Sequence, residues 1–341
     1  MPADRRSAEE TFTVRARLLR LTAFVLSLFV AFLLAEGALR LLSAHRLRVF
    51  DVEMWRYARL VKVESADPRI VEEHRPNADE VLMGVRVRTD EHGFRLPDPA
   101  LQAERRPADR QIVALGDSVT FGWGAGDNET YPAQLEQLLN ESCPRRGGRR
   151  ATVHNAGIGN CNTSMEVARY RARIRSLHPD WLILGYSYND AEPDAVPSHN
   201  PLLWHSALLS LGWARTARLS GPYRSYEPYY KGLYRDGLPG WESTKRALRD
   251  LGAMLREDHI PATLLLLPEL HEPKDFGPFA GIFAEVAAEG RADGFEVIDP
   301  SGAFPPGPGD AFWVSREDAH PNGRGQTIYA AALARSRFAC S

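Results

Sequence analysis

The sequence is poor in cysteine: Cys143, Cys161 and Cys340 are the only three in 341 residues. They form no Cys-x-x-Cys pair, which argues against a zinc site. The acidic residues show no calcium-loop spacing, so no metal or cofactor is expected. Net charge is also scarce, at -2 near neutral pH. Nothing therefore marks the whole molecule as a nucleic-acid binder. Low-complexity tracts and internal repeats are absent, which excludes arrayed and fibrous architectures. What remains is ordinary globular composition, 44% hydrophobic and 25% charged. The length suits one sizeable domain with additions.

One long uncharged run stands out. Leu21 to Ala35 carries no charge, Glu36 interrupts it, and Gly-Ala-Leu-Arg-Leu-Leu continues to Leu42. The uncharged part is shorter than the roughly 20 residues of a full span. Glu36 and Arg40 lie near its outer end, where long side chains reach the interface. Arg5, Arg6, Arg15, Arg17 and Arg20 precede the run and favour a cytoplasmic amino terminus, although Arg40, Arg46 and Arg48 follow it. The expectation is a cytoplasmic tail over 1–20 and a single transmembrane signal anchor over 21–43. The remainder would then be periplasmic or extracellular. The alternative is a cleaved signal peptide ending near Ala35-Glu36-Gly37. A buried amphipathic helix fits less well, because apolar residues go all round. In an exported protein, Cys143 and Cys161 are candidates to pair; the alternative is three free thiols.

Residues 44–110 are polar and arginine-rich, and read as a stalk and lead-in. Val85 to Thr89 alternates like an edge strand, and His92-Gly93-Phe94-Arg95 looks like a turn packing on the domain edge. From 111 the rhythm becomes strand, helix, strand. Apolar runs predict strands at 111–115, 151–155, 180–186, 262–267 and 295–298. Helices are predicted at 131–139 with Thr130 as cap, and at 163–177, 241–256, 276–289 and 321–335. Arg169, Arg171, Arg173 and Arg175 read as a solvated helix face. Residues 191–241 form an aromatic- and proline-rich insertion, which is either a sugar-stacking surface or a lid packed on the sheet. Strands alternating with helices predict an α/β fold, a mostly parallel sheet covered on both faces.

Chemistry-bearing residues fall at the strand ends. Gly116-Asp117-Ser118 follows the first buried strand, where open α/β sheets bind ligands. Asn155-Ala156-Gly157-Ile158-Gly159-Asn160 follows the second. Asn189-Asp190 follows the third, and Asn189 has an amide able to donate to an oxyanion. Asp318-Ala319-His320-Pro321-Asn322 precedes the last helix, and an acid beside His320 can fix the imidazole tautomer. Each piece alone reads as an ordinary turn or loop.

In this order the motifs resemble the SGNH, or GDSL, hydrolase family over about residues 111–335. The resemblance implies a three-layer α/β/α sandwich with a five-stranded, flavodoxin-like sheet over 111–341. It implies Ser118 as nucleophile, His320 as general base then acid, and Asp318 as the orienting acid. The family's commoner Asp-x-x-His spacing would select Glu317 instead. The oxyanion would be held by the Ser118 N–H, the Asn189 side chain and a second-block N–H. That last donor is either Asn160, which stands where the family usually has glycine, or Gly159. No cofactor is implied. The expected function is an esterase removing O-acetyl or another short acyl group from a cell-surface or extracellular glycan. The alternatives are an O-acyltransferase using the same site and a catalytically silent glycan-binding or polysaccharide-assembly protein. Expected partners are the acylated small-molecule or glycan substrate and the membrane.

Overall fold

The structure is a computed structural model that describes residues 3–45, 48–107, 109–193, 200–217, 219 and 225–340. Pro197, His199, Pro222 and Tyr223 of the insertion lie outside the described residues. The chain divides into two compact units, one of residues 1–55 with 200–216, the other of residues 56–199 with 217–341.

The larger unit is built on five strands, β1 (Arg110–Gly116), β2 (Ala151–Gly157), β3 (Trp181–Ser187), β4 (Ala262–Leu267) and β5 (Glu296–Ile298). They pair in the order β2-β1-β3-β4-β5, and every pairing is parallel. β3 and β4 are buried along their whole length. That is why their sequences run continuously apolar instead of alternating. Alternate side chains feed two cores. Val113, Leu115, Leu182, Leu184 and Leu264 pack with Ile282, Phe283 and Leu248 from the helices Ala280–Ala292 and Pro239–Glu257. Ile112, Ala114, Ile183 and Leu265 pack with Leu135, Leu139, Tyr329 and Leu333 from the helices Tyr131–Ser142 and Gly323–Leu333. The result is the expected α/β/α sandwich, with its strand order reversing between β1 and β3.

Thr130 caps Tyr131–Ser142 by accepting from the Ala133 N–H. The helix starting at Thr163 is α-helical only to Arg169, then widens into a π-turn over Tyr170–Ile174. Arg171, Arg173 and Arg175 are on the surface and pair with Asp250, Glu73 and Asp258. Arg169 corrects the solvated-face reading: it is buried at 3% exposure and donates to the Ala156 carbonyl. The lead-in is also more deeply engaged than its polar composition suggests. Tyr57, Lys62, His74, Phe94 and Arg95 are all buried, and Arg95 bridges to Asn155 on the free edge of β2. In the insertion, Tyr230, Tyr234 and Trp241 are buried in the core. Those three rings pack as a lid would, and are not presented for stacking.

Cys143 is bonded to Cys340, and Cys161 is a free, buried thiol. This corrects both the Cys143–Cys161 pairing and the three-thiol alternative. Cys161 follows β2 and packs with Val71, Ile158 and Met165. Cys143 ends its helix beside the carboxyl-terminal segment, whose Ala339 and Phe338 carbonyls accept from Arg110.

In the smaller unit, one helix runs Ala3–His45. Within its segment Arg15–Ser43, an 18-residue window has a mean hydropathy of 2.4 and holds no buried residue, while Glu36 and Ser43 are buried. The segment is long and apolar enough to cross a membrane. A signal sequence shares these properties.

Candidate active site

Ser118 opens the four-residue helix Ser118–Phe121 just past the end of β1. The Asp117 carboxylate caps that turn by accepting from the Val119 N–H at 2.9 Å. The turn is possible because glycines line it. A Cβ on Gly116 would stand 2.1 Å from Thr120 Oγ1, and one on Gly157 would stand 2.2 Å from the Phe121 nitrogen. The Gly-Asp-Ser and Asn-Ala-Gly blocks are thus partly steric requirements of one close packing.

Asp318 and His320 lie on a short strand, Asp318–Pro321, paired antiparallel with Trp313–Ser315. Residues two apart on a strand share a face. Asp318 and His320 are therefore side by side, and Glu317 is not. His320 Nδ1 lies 2.6 Å from Asp318 Oδ1, and His320 Nε2 lies 2.9 Å from Ser118 Oγ. Glu317 is exposed. The structure brings Ser118, His320 and Asp318 into one hydrogen-bonded run.

The run continues to a residue that sequence reasoning missed. Trp123 Nε1–H donates to the other carboxylate oxygen, Asp318 Oδ2, at 2.8 Å. Trp123 is buried at 2% exposure, and its own N–H donates to the Ser118 carbonyl. Burial alone would raise the Asp318 pKa. Hydrogen bonds from His320 and Trp123, together with the histidine's charge, outweigh it and hold the carboxyl below its usual range. Trp123→Phe keeps the ring and removes the donor. A hydrogen bond to a charged group is worth about 1.5–3 kcal/mol, so kcat is expected to fall roughly tenfold or more with KM little changed. Steady-state kinetics check this, and an unchanged kcat would deny Trp123 a positioning role.

The expected oxyanion donors are the Ser118 N–H, the Asn189 carboxamide and the N–H of Gly159 or Asn160. Gly159 is not available: its N–H donates to Tyr57 Oη at 2.9 Å. Asn160 has the left-handed backbone that asparagine tolerates, with φ of 62°, and among the described residues nothing accepts from its N–H. The Gly159 carbonyl belongs to the same planar peptide as that N–H. It accepts from Lys62 Nζ at 2.6 Å. A cation on the carbonyl polarises the amide and strengthens its N–H as a donor. The support comes from the lead-in. Tyr57 Oη lies 2.6 Å from His74 Nε2, and His74 Nδ1 lies 3.2 Å from the Gly93 carbonyl. Burial first, then the Arg169 and Lys62 charges, push the His74 pKa well down. A neutral His74 accepts from Tyr57 and donates to Gly93. Arg95 clamps the loop after Ser118, donating to the carbonyls of Phe121, Gly122 and Ala125.

Asn189 sits in the turn after β3, and among the described residues its carboxamide has no protein partner. Asp190 shapes that turn: its Oδ2 accepts from the Ser187 N–H and from Thr163 Oγ1. Burial, then the neighbouring Asp117, push the Asp190 pKa well up. Among the described residues, no group of His, Cys, Asp and Glu is arranged to hold a metal ion.

A sequence model of the GDSL-like Lipase/Acylhydrolase family matches residues 114–328. No curated protein matches the chain. Solved structures do. A G-D-S-L family protein from Desulfitobacterium hafniense DCB-2 is 15% identical, with 67% of this chain and 99% of that one covered at a TM-score of 0.42. A catalytic mutant of Axe2, an acetylxylan esterase from Geobacillus stearothermophilus, is 18% identical, covering 66% and 93% at a TM-score of 0.42. A lipase/acylhydrolase from Enterococcus faecalis is 17% identical, covering 66% and 94% at 0.39.

Proposed function

The chain belongs to the GDSL-like lipase/acylhydrolase family of ester-hydrolysing enzymes, and on that premise we propose a serine esterase that removes acetyl or other short acyl groups from a cell-surface or extracellular glycan. The hydrogen-bonded run Ser118–His320–Asp318 carries the reading. Ser118 Oγ attacks the ester carbonyl as its proton passes to His320 Nε2. Asp318 holds the Nδ1–H tautomer and stabilises the imidazolium that forms. The oxyanion accepts from the N–H groups of Ser118 and Asn160 and from the Asn189 carboxamide. His320 then protonates the departing alcohol, leaving an acyl-enzyme. Water attacks it with His320 again as base, releasing the acid and free Ser118.

The glycan is supported by location. The apolar Arg15–Ser43 helix reads as a single-pass anchor behind an arginine-rich cytoplasmic tail, with the hydrolase domain on the exported side. Membrane-anchored members of this kind, found with cell-surface polysaccharide systems, resemble this arrangement.

The test uses purified protein on a panel of acylated glycans, with and without an oligosaccharide acceptor, reading free acid and transferred acyl groups. Free acid should dominate and vanish in Ser118→Ala. Dominant transfer to the acceptor would make the protein an acyltransferase. Hydrolysis of aryl esters without any glycan deacylation would remove the glycan as substrate.

A further inference from the structure

Glu36 is the one acid inside the apolar Arg15–Ser43 segment, and its surroundings in the smaller unit show what it does. It is buried at 9% exposure. Its Oε1 accepts from the Ala207 N–H at 2.9 Å, and its Oε2 accepts from the Leu208 N–H at 2.8 Å and Ser206 Oγ at 2.9 Å. Arg40 Nε donates to Oε1 at 2.6 Å. The carboxylate therefore caps the amino terminus of the helix Ala207–Ala217. Anions are stabilised there by the unpaired N–H groups and the helix dipole. Two further links hold the short helix Pro201–His205 and its neighbour. Arg40 Nη2 donates to the His205 carbonyl, and Trp55 Nε1 donates to the Leu203 carbonyl.

We propose that residues 201–217 are a second membrane element, a helix pair lying in the outer interface of the bilayer that the N-terminal helix crosses. This rests on reading that helix as a span. Depth is the first argument. Glu36 precedes the end of the apolar segment at Ser43 by about two turns, or roughly 10 Å at 1.5 Å per residue. The amino terminus of Ala207–Ala217 is pinned at that depth, within the ~5–10 Å to which interfacial helices sink. Composition is the second. The stretch Pro-Leu-Leu-Trp-His-Ser-Ala-Leu-Leu-Ser-Leu-Gly-Trp-Ala-Arg-Thr-Ala has no acid, and its single arginine, Arg215, pairs with Asp51. Exposure is the third. Leu202 (67%), Trp213 (64%), Trp204 (39%) and Leu209 (38%) are turned outward, and Leu209 and Trp213 share one helix face. Water does not suit such a patch. Leu33, Leu34, Leu41 and Leu42 on the N-terminal helix are exposed as well. Tryptophan is the residue enriched at that level of a membrane.

The N-terminal helix contains no tryptophan, so tryptophan fluorescence does not report on the span, and of the chain's seven tryptophans only Trp204 and Trp213 lie in the second element, whose signal is the difference their removal makes. Full-length protein would be reconstituted in vesicles whose phospholipids carry bromine at shallow or deep acyl positions. Shallow bromine is expected to quench more than deep bromine, and most of that quenching should be lost in the Trp204→Phe/Trp213→Phe variant, with aryl-esterase activity retained. Equal quenching of the two proteins, while alkaline carbonate leaves both in the membrane, overturns this proposal alone. Extraction of the wild type by carbonate overturns the span and the proposal together. Protection of these tryptophans from both brominated lipid and aqueous iodide marks a protein partner instead, and also overturns it.

Discussion

Ser118→Ala is expected to lower kcat for ester hydrolysis by about 10⁶-fold, and Asp318→Asn by about 10⁴-fold, with Glu317→Gln close to wild type. The two losses differ because the residues act at different removes from the bond that changes. In the proposed mechanism Ser118 Oγ is the atom that attacks, and alanine would leave only binding and the oxyanion donors. Asp318 in that mechanism acts only through His320. It lies at 3% exposure between His320 Nδ1 and Trp123 Nε1. Asparagine would fill the same space, but it presents an amide that can stabilise the wrong imidazole tautomer. Glu317 is exposed in the turn that precedes the strand. Steady-state rates on p-nitrophenyl acetate separate the three variants. A severe loss in Glu317→Gln with little in Asp318→Asn would reverse the choice of acid.

Cys340→Ser is expected to be the most destabilising change outside the site. The Cys143–Cys340 bond closes a loop of 197 residues. The chain-entropy estimate for a loop of that length is about 5 kcal/mol, and removal of native disulfides typically costs 2–5 kcal/mol. The denaturant midpoint should fall accordingly, while a Cys161→Ser control should change it little by comparison. Thiol titration gives the complementary prediction. Burial pushes the Cys161 thiol up to about 12, so the folded protein should present no reactive thiol. Denaturation without reductant should reveal one thiol, and reduction should raise the count to three. A peptide map linking Cys143 to Cys161 would contradict the pairing.

The sheet was legible because parallel strands covered on both faces are written as unbroken apolar runs. Gln111 to Leu115, Trp181 to Tyr186 and Ala262 to Leu267 are local signals of that kind. The candidate site was legible to the extent that chemistry-bearing residues sit at strand ends: Ser118 past β1 and Asn189 past β3 border the point where strand order reverses. The remainder depends on contacts that sequence proximity does not encode. Trp123 lies 195 residues from the carboxylate it supports, and a lone tryptophan between two glycines has no periodicity to betray it. Tyr57 and Lys62 reach Gly159 across about a hundred residues, so the lead-in reads as polar while its key groups are buried. Arg169 shares an arginine-rich stretch with three surface residues. The helix widens after it, and a regular 3.6-residue period no longer predicts which side chains face water. Cysteine spacing offered only the near pair as a candidate because spacing reports distance along the chain, and the fold brought the far pair to a Cα separation of 5.2 Å.

Whether Ser118 is a nucleophile activated by His320 is tested most directly by a fluorophosphonate probe followed by peptide mass spectrometry. The geometry, with His320 Nε2 at 2.9 Å from Ser118 Oγ, predicts one covalent adduct on the peptide carrying Ser118. It should be absent in Ser118→Ala and strongly slowed in His320→Ala. An unlabelled wild-type protein, or an adduct on another serine, would contradict the account.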